Sequence, residues 1–296
     1  MSPQQEPQAQ ASHPGRLVII GGAEDREQDK PILKRFTELA SAGEGSVLVI
    51  TAASTEPEEM WKTYRDAFGE LGVRHCEPLH IRSRDEANDP AMSEKMRQAG
   101  GVFMTGGDQK RLLSLIGGTE VCKTMRTRYA QAGLCVAGTS AGASALSEHM
   151  LTMTGSAHPE RDPPCLGVGL GFIGDAVIDQ HFSERGRLGR LLAAIAHNPK
   201  LIGVGIDENT ALIVHGGQGI EIVGEGGVTL MDGRDMSFDF LETAQGDVIQ
   251  LADVRVHVLP AGTRHELNPE EGTQRAAGLN VPPRVRDLVR AICNVV

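Results

Sequence analysis

The chain has 296 residues, 40% of them hydrophobic and 3% aromatic, which is enough for one large or two modest globular domains with a sizeable core. Its formal net charge of −10 argues against a general nucleic-acid binder, which would carry a basic face, and no apolar stretch is long enough to span a membrane. Five scattered cysteines without C-x-x-C or Cys/His spacing argue against a zinc site and a disulfide framework, and point to reduced thiols in a cytoplasm.

Residues 1 to about 15 are polar and rich in Gln and Ala, lack the basic start and apolar core of a signal peptide, and read as a disordered tail. Arg16-Leu-Val-Ile-Ile-Gly-Gly22 is a short apolar run that ends in glycines. Lys30 to Ala40 then places Ile32, Leu33, Phe36 and Leu39 at helical spacing. Ser46 to Thr51 predicts a second buried strand. Pro57 to Leu71 predicts a helix, with Trp61, Tyr64, Phe68 and Leu71 at three- and four-residue steps, and Val73 to Ile81 another strand. Gly101 to Thr105 and Leu134 to Ala137 follow, each with a helix after it. Buried apolar strands alternating with amphipathic helices predict a three-layer α/β/α arrangement around a mostly parallel sheet.

Ligands of such sheets bind beyond the carboxyl ends of the strands. Gly21-Gly22, Thr51 to Ser54, Gly106-Gly107-Asp108-Gln109 and a serine turn at residue 140 all fall there. After Leu201 the texture changes. Leu201 to Val204, Ala211 to His215, Gly219 to Val223, Gly227 to Leu230 and Val254 to Leu259 are short strand-like runs separated by Gly and Asp turns. They predict antiparallel structure appended to the same core from about residue 211, so that residues 16–296 form one catalytic domain; Arg284 to Val296 predicts a closing helix.

The chemistry centres on Gly138-Thr-Ser140-Ala-Gly142, at the end of the apolar run Leu134 to Ala137. A G-x-S-x-G turn needs its glycines because the backbone around the serine is crowded, and it holds a hydroxyl out at the start of a helix. A serine hydroxyl near neutral pH needs a base in contact and an acid that orients the base. His149 is expected on the helix that follows Ser140, pointing away, and His158 lies in a Pro-rich loop. His181 ends the strand-type run Ala176-Val-Ile-Asp-Gln-His181 and is the candidate base. For the orienting acid two readings stand: Asp179, on the same strand face as His181, or Glu208, just past the strand Leu201 to Val204. The N–H groups of Gly107 and Ala141 are candidate oxyanion donors. Arg185, Arg187 and Arg190 follow the base closely, and guanidinium groups at an active-site edge suit carboxylate-bearing substrates.

Taken together, Gly21-Gly-Ala-Glu-Asp25, Thr51-Ala-Ala-Ser54, Gly106-Gly-Asp-Gln109, the serine turn, Asp179-Gln-His-Phe182 with Arg185-Gly-Arg-Leu-Gly-Arg190, and Gly205-Ile-Asp-Glu208 resemble the cyanophycinases, in the peptidase E-like group of serine peptidases. The resemblance runs in order over about residues 17 to 215, and the Asp-Gln-His-Phe block with its three arginines is the discriminating part. It implies a fold related to class I glutamine amidotransferases (flavodoxin-like), an acyl-enzyme mechanism without metal or other cofactor, and a homodimer. By position it implies Ser140 as nucleophile, His181 as base and Glu208 as acid. Gln109, Asp179, Gln180, Arg185, Arg187 and Arg190 would line the substrate pocket. The implied substrate is cyanophycin, poly-aspartate bearing arginine on each β-carboxyl, cut from an end to β-aspartyl-arginine. The alternatives are a peptidase E-like α-aspartyl dipeptidase, an ordinary esterase and a non-catalytic binding relative. The loop His158 to Cys165 has no clear counterpart in the family.

Overall fold

The structure is a computed structural model that describes residues 14–41, 46–152, 165–239, 250–267 and 282–294. Residues 1–13 of the expected tail, His158 and the loop 158–164 lie outside the described residues.

The first half alternates as its apolar pattern requires. β1 (Arg16–Ile20), α1 (Pro31–Ser41), β2 (Ser46–Ile50), α2 (Pro57–Glu70) and β3 (Cys76–Leu79) come first. They are followed by α3 (Arg84–Ala87), α4 (Pro90–Gln98), β4 (Ala99–Met104), α5 (Gln109–Ile116), α6 (Glu120–Ala132) and β5 (Cys135–Thr139). Local chemistry sets the boundaries. Asp108 caps α5 by accepting from the Lys110 N–H at 2.7 Å, and Gly133, at φ 71°, ends α6 in the left-handed conformation.

β1, β2, β4 and β5 are buried nearly throughout because both faces of the sheet are covered. Val18, Ile20, Val49 and Phe103 pack under α1 and α2, where Phe36, Tyr64 and Phe68 surround the Phe103 ring at centroid separations of 5.5, 4.7 and 5.5 Å. Leu17, Ile19, Leu48, Ile50 and Val136 face the other way, onto Met96, Leu112, Met125 and Leu288 of the opposite helical layer. Each such side chain contributes roughly 1.5–3 kcal/mol on burial, so a change of face would be prohibitive.

Beyond β5 comes α7 (Ala141–Ser144), a single turn, and then β6 (His149–Leu151) and β7 (Leu166–Val168), which pair antiparallel. His149 is therefore not on the helix that follows Ser140; it opens a strand. The Ser147 hydroxyl lies within bonding reach of the Ser144 and His149 carbonyls, at 3.0 and 2.8 Å, and turns the chain out of the helix there. Next are β8 (Ala176–Gln180), α8 (Leu188–His197), β9 (Ile202–Ile206), β10 (Thr210–His215), β11 (Gly219–Gly224) and β12 (Gly227–Asp232). β13 (Ser237–Phe238), β14 (Leu251–Ala252), β15 (Arg255–Pro260), β16 (Arg264–Glu266) and α9 (Pro283–Cys293) complete the described chain.

The strands form two principal sheets. The larger has eight strands in the order β16-β11-β10-β1-β5-β4-β2-β3; β1, β5, β4, β2 and β3 run parallel, and β10, β11 and β16 extend the sheet antiparallel. The second has four, ordered β15-β12-β9-β8, and only its β8–β9 pair is parallel. The appended strands thus divide: β10 and β11 widen the main sheet, while β9 and β12 join β8 in a sheet of their own. One face of that sheet, through Ile178, Val204 and Leu230, continues the main core, and α8 covers the other through Leu191 and Ile195.

Candidate active site

Ser140 follows β5 directly, where the chain turns into α7. Its φ of +52° is one that a residue with a Cβ adopts only under constraint. The glycines of the turn are needed for space: a Cβ on Gly138 would come within 2.4 Å of the Gly142 carbonyl oxygen, and one on Gly142 within 2.6 Å of the Met104 carbonyl oxygen. His181 comes one residue after β8, at φ +48°, and Glu208 lies in the turn between β9 and β10. The three side chains meet. Ser140 Oγ is 2.9 Å from His181 Nε2, and His181 Nδ1 is 2.5 Å from Glu208 Oε1. His181 is largely buried, whereas Glu208 keeps 35% of its side-chain surface exposed.

A single loop holds all three positions. The Ile20 carbonyl accepts from Ser140 N–H at 3.0 Å, the Gly21 carbonyl from His181 N–H at 2.8 Å, and the Gly22 carbonyl from Asn209 N–H at 2.9 Å. Asn209, at φ +45° beside Glu208, returns a bond by accepting from Asp25 N–H through Oδ1 at 2.9 Å. Gly22 has φ +100°, and a Cβ there would stand 2.3 Å from His181 Cε1, so only glycine lets the imidazole lie where it does. Asp25 rigidifies the far end by accepting from the backbone N–H groups of Glu27, Gln28 and Lys30; these bonds, Gln28's foremost, hold its carboxyl down at about 2.

Asp179, the other reading for the orienting acid, does not reach His181. It is fully buried and accepts from Arg187 at 3.1 Å and from Arg190, whose Nε lies 2.9 Å away and whose Nη2 also bonds it. Arg187 bonds the Gln180 carbonyl and, at 2.7 Å, the Gln180 side-chain oxygen; burial outweighs the neighbouring Asp179 charge and lowers its guanidinium to about 10. Gln109 is buried and donates to the Leu151 carbonyl at 3.1 Å. Arg185 is exposed and makes no side-chain hydrogen bond or ion pair among the described residues.

The Gly106-Gly107 turn adjoins the serine: a Cβ on Gly106 would lie 3.4 Å from Ser140 Cβ. Gly107 has φ +139° and is pressed against the Ala53 carbonyl, which accepts from Asp108 N–H at 2.9 Å. Thr51 to Ser54 is in this way the support of the glycine turn. Ala141 is the first residue of α7, so its N–H has no acceptor within the helix. Asn209 and the carbonyls of residues 20–22 are parts of the site that sequence reasoning passed over. The signal available was the close spacing of Gly21-Gly22 and Asp25, whose use shows only once the loop is folded.

Residues 17–222 match the model of Peptidase family S51. A cyanophycinase of Geminocystis herdmanii is 36% identical over 84% of this chain and 92% of its own length. A cyanophycinase of Synechococcus elongatus is 35% identical over 88% and 82%, and one of a Nostoc species 34% identical over 85% of each chain. Among solved structures, a peptidase from an acI-B1 actinobacterium superposes with a TM-score of 0.66 at 23% identity, over 87% of this chain and 98% of its own, which speaks for the fold alone. The chain belongs to peptidase family S51. It is a serine-type peptidase, a hydrolase, and its curated relatives are cyanophycinases.

Proposed function

We propose that this chain hydrolyses cyanophycin from an end to β-aspartyl-arginine dipeptides through an acyl-enzyme on Ser140. The Ser140–His181–Glu208 chain of contacts, at 2.9 and 2.5 Å, carries this reading together with the cyanophycinase relatives. In the first step Ser140 Oγ attacks a backbone carbonyl of the polymer while His181 Nε2 takes its proton. Glu208, at Nδ1, holds the ring in the tautomer that leaves Nε2 free to accept and stabilises the imidazolium that results. The Gly107 and Ala141 N–H groups receive the oxyanion. His181 then protonates the leaving amine, and water enters by the same route to release the dipeptide.

Each repeat of the substrate carries the free carboxylate and the guanidinium of its arginine. Exposed Arg185 would take the free α-carboxylate of a substrate arginine. Arg187 and Arg190, held by Asp179, form with Gln109 and Gln180 the wall of the pocket. The same reading treats residues 16–296 as one catalytic domain of the class I glutamine amidotransferase-like kind, acting in the cytoplasm as a homodimer. Among the described residues no helix is long and apolar enough to cross a membrane.

The test is direct. Incubation with insoluble cyanophycin should release a soluble product with the mass of β-aspartyl-arginine, and Ser140→Ala should lower the rate by roughly 10⁴-fold or more with the fold retained. Near-normal turnover by that variant would refute the mechanism. Preference for Asp-X dipeptides over the polymer would refute the substrate.

A further inference from the structure

Glu24 is a carboxylate with 3% of its surface exposed, and no lysine or arginine is bonded to it among the described residues. One oxygen accepts from the Tyr64 hydroxyl of α2; the other accepts from the Thr139 hydroxyl at 2.5 Å. Tyr64 and Thr139 are themselves buried. Burial first, and the Glu24 charge second, push the Tyr64 phenol well above its usual range, so it stays a donor. A charge held out of water by two neutral hydroxyls, with the Arg26 guanidinium beyond them at 5.8 Å from the Tyr64 ring centroid, costs more than an apolar side chain of the same size, so packing alone does not account for it.

Its location does. Thr139 is the residue before the nucleophile, and Glu24 is on the loop whose carbonyls hold the three reactive positions. We propose that Glu24 is a positioning residue for Ser140, an inference that rests on the nucleophilic role given to Ser140 above. A serine at φ +52° is strained and persists only where its surroundings over-determine it. The Ser140 N–H bond to Ile20 is one hold; the Thr139–Glu24 bond is another. Release of the second lets the strand end relax and swing Oγ off the His181 ring. A displacement of about 1 Å in such a geometry is worth up to 100-fold in rate.

The experiment reads the rate at which a fluorophosphonate labels Ser140, alongside kcat and KM on cyanophycin, in four variants. Thr139→Val should slow labelling and lower kcat together by about tenfold or more, with KM within about twofold of wild type. Thr139→Ser restores the hydroxyl and should return both to within about threefold. Tyr64→Phe takes a hydroxyl from the same carboxylate without touching the strand before the nucleophile. It should lower the melting temperature yet label within about threefold of wild type. The paired variant Glu24→Met/Thr139→Val removes the unsatisfied carboxylate that would endanger folding in the single variant, and should label as slowly. Wild-type labelling in either valine variant overturns the proposal, as does a Thr139→Ser variant as slow as Thr139→Val, or a Tyr64→Phe variant that loses labelling as they do. If the wild type labels but leaves cyanophycin intact, the substrate reading fails, and the role of Glu24 is still decided by labelling.

Discussion

The nucleophile and its two partners reach the same point by different means. Ser140 is at the end of β5, between β1 and β4 in a sheet covered on both faces, and the position of that strand is set by apolar burial. His181 and Glu208 follow β8 and β9, the last two strands of the smaller sheet, with β8 at its edge. They are brought to the serine by hydrogen bonds to the carbonyls of Gly21 and Gly22. Burial tolerates small errors of direction, whereas a hydrogen-bonded turn does not. Substitutions in the sheet should therefore cost stability first, and substitutions in the turns should cost rate first.

The sharpest test of that contrast is Gly22→Ala. The new methyl would meet only the end of a side chain, the His181 ring, which turns aside at little cost to the fold but leaves Ser140 without its base. A loss of about 100-fold or more in kcat is expected, with a fall in stability of only about 1 kcal/mol from placing alanine at a φ of +100°. Gly21→Ala is the counter-case: its methyl would come within 2.0 Å of the Asp207 backbone oxygen, so the loop itself must shift and stability should fall with activity. Equal behaviour of the two variants would show that the loop does not separate the two kinds of constraint.

Glu208→Gln and Asp179→Asn divide along the same line. Glu208→Gln should lower kcat by roughly 10²–10⁴-fold and barely move the melting curve, because the lost group orients the base. Asp179→Asn leaves two arginines buried beside a neutral amide, for which the expected loss of stability is about 3–5 kcal/mol in a denaturant titration. If Asp179→Asn instead folds normally and abolishes turnover while Glu208→Gln keeps it, the acid has been misassigned.

The parallel half was legible in the sequence because buried runs such as Leu17 to Ile20 and Val47 to Ile50 have one stable destination, and the serine turn because few residues fit it. His181 was legible from a strand that turns polar at its end. What stayed hidden was long-range. Val177, Ile178, Val204 and Leu230 are buried just as Val18 and Val136 are, so nothing local says that their strands form a second sheet. The arginines after His181 could face solvent, substrate or protein. That Arg187 and Arg190 close on Asp179 depends on where α8 turns back, which periodicity does not encode. Nine residues after Ser140, His149 is expected on the same helix; the chain leaves that helix at Ser147, whose hydroxyl has carbonyls within reach on both sides of the turn, and no periodicity signals that stop.

The smallest expected effect concerns the seam between the parallel strands and the strands added to them. Glu221 of β11 is bonded by Arg35 of α1 at 2.9 Å and lies near Arg264 and His215, at 3.2 and 3.5 Å. The bond from His215 foremost, then Arg35, hold its carboxyl down at about 2 against the opposing effect of burial. A carboxyl lowered on folding stabilises the native state above its unfolded value, roughly 4.3 for glutamate, and the contribution fades as pH falls from there towards 2. Arg35 and Arg264 are partly exposed, so Glu221→Gln should cost only about 0.5–1 kcal/mol at pH 7. The difference from wild type should shrink below pH 4 and leave kcat unchanged, since the seam lies at the end of β10 and β11 away from Glu208. A variant whose stability deficit persists undiminished at pH 2 would mean that Glu221 joins the two parts by its shape and not by its charge.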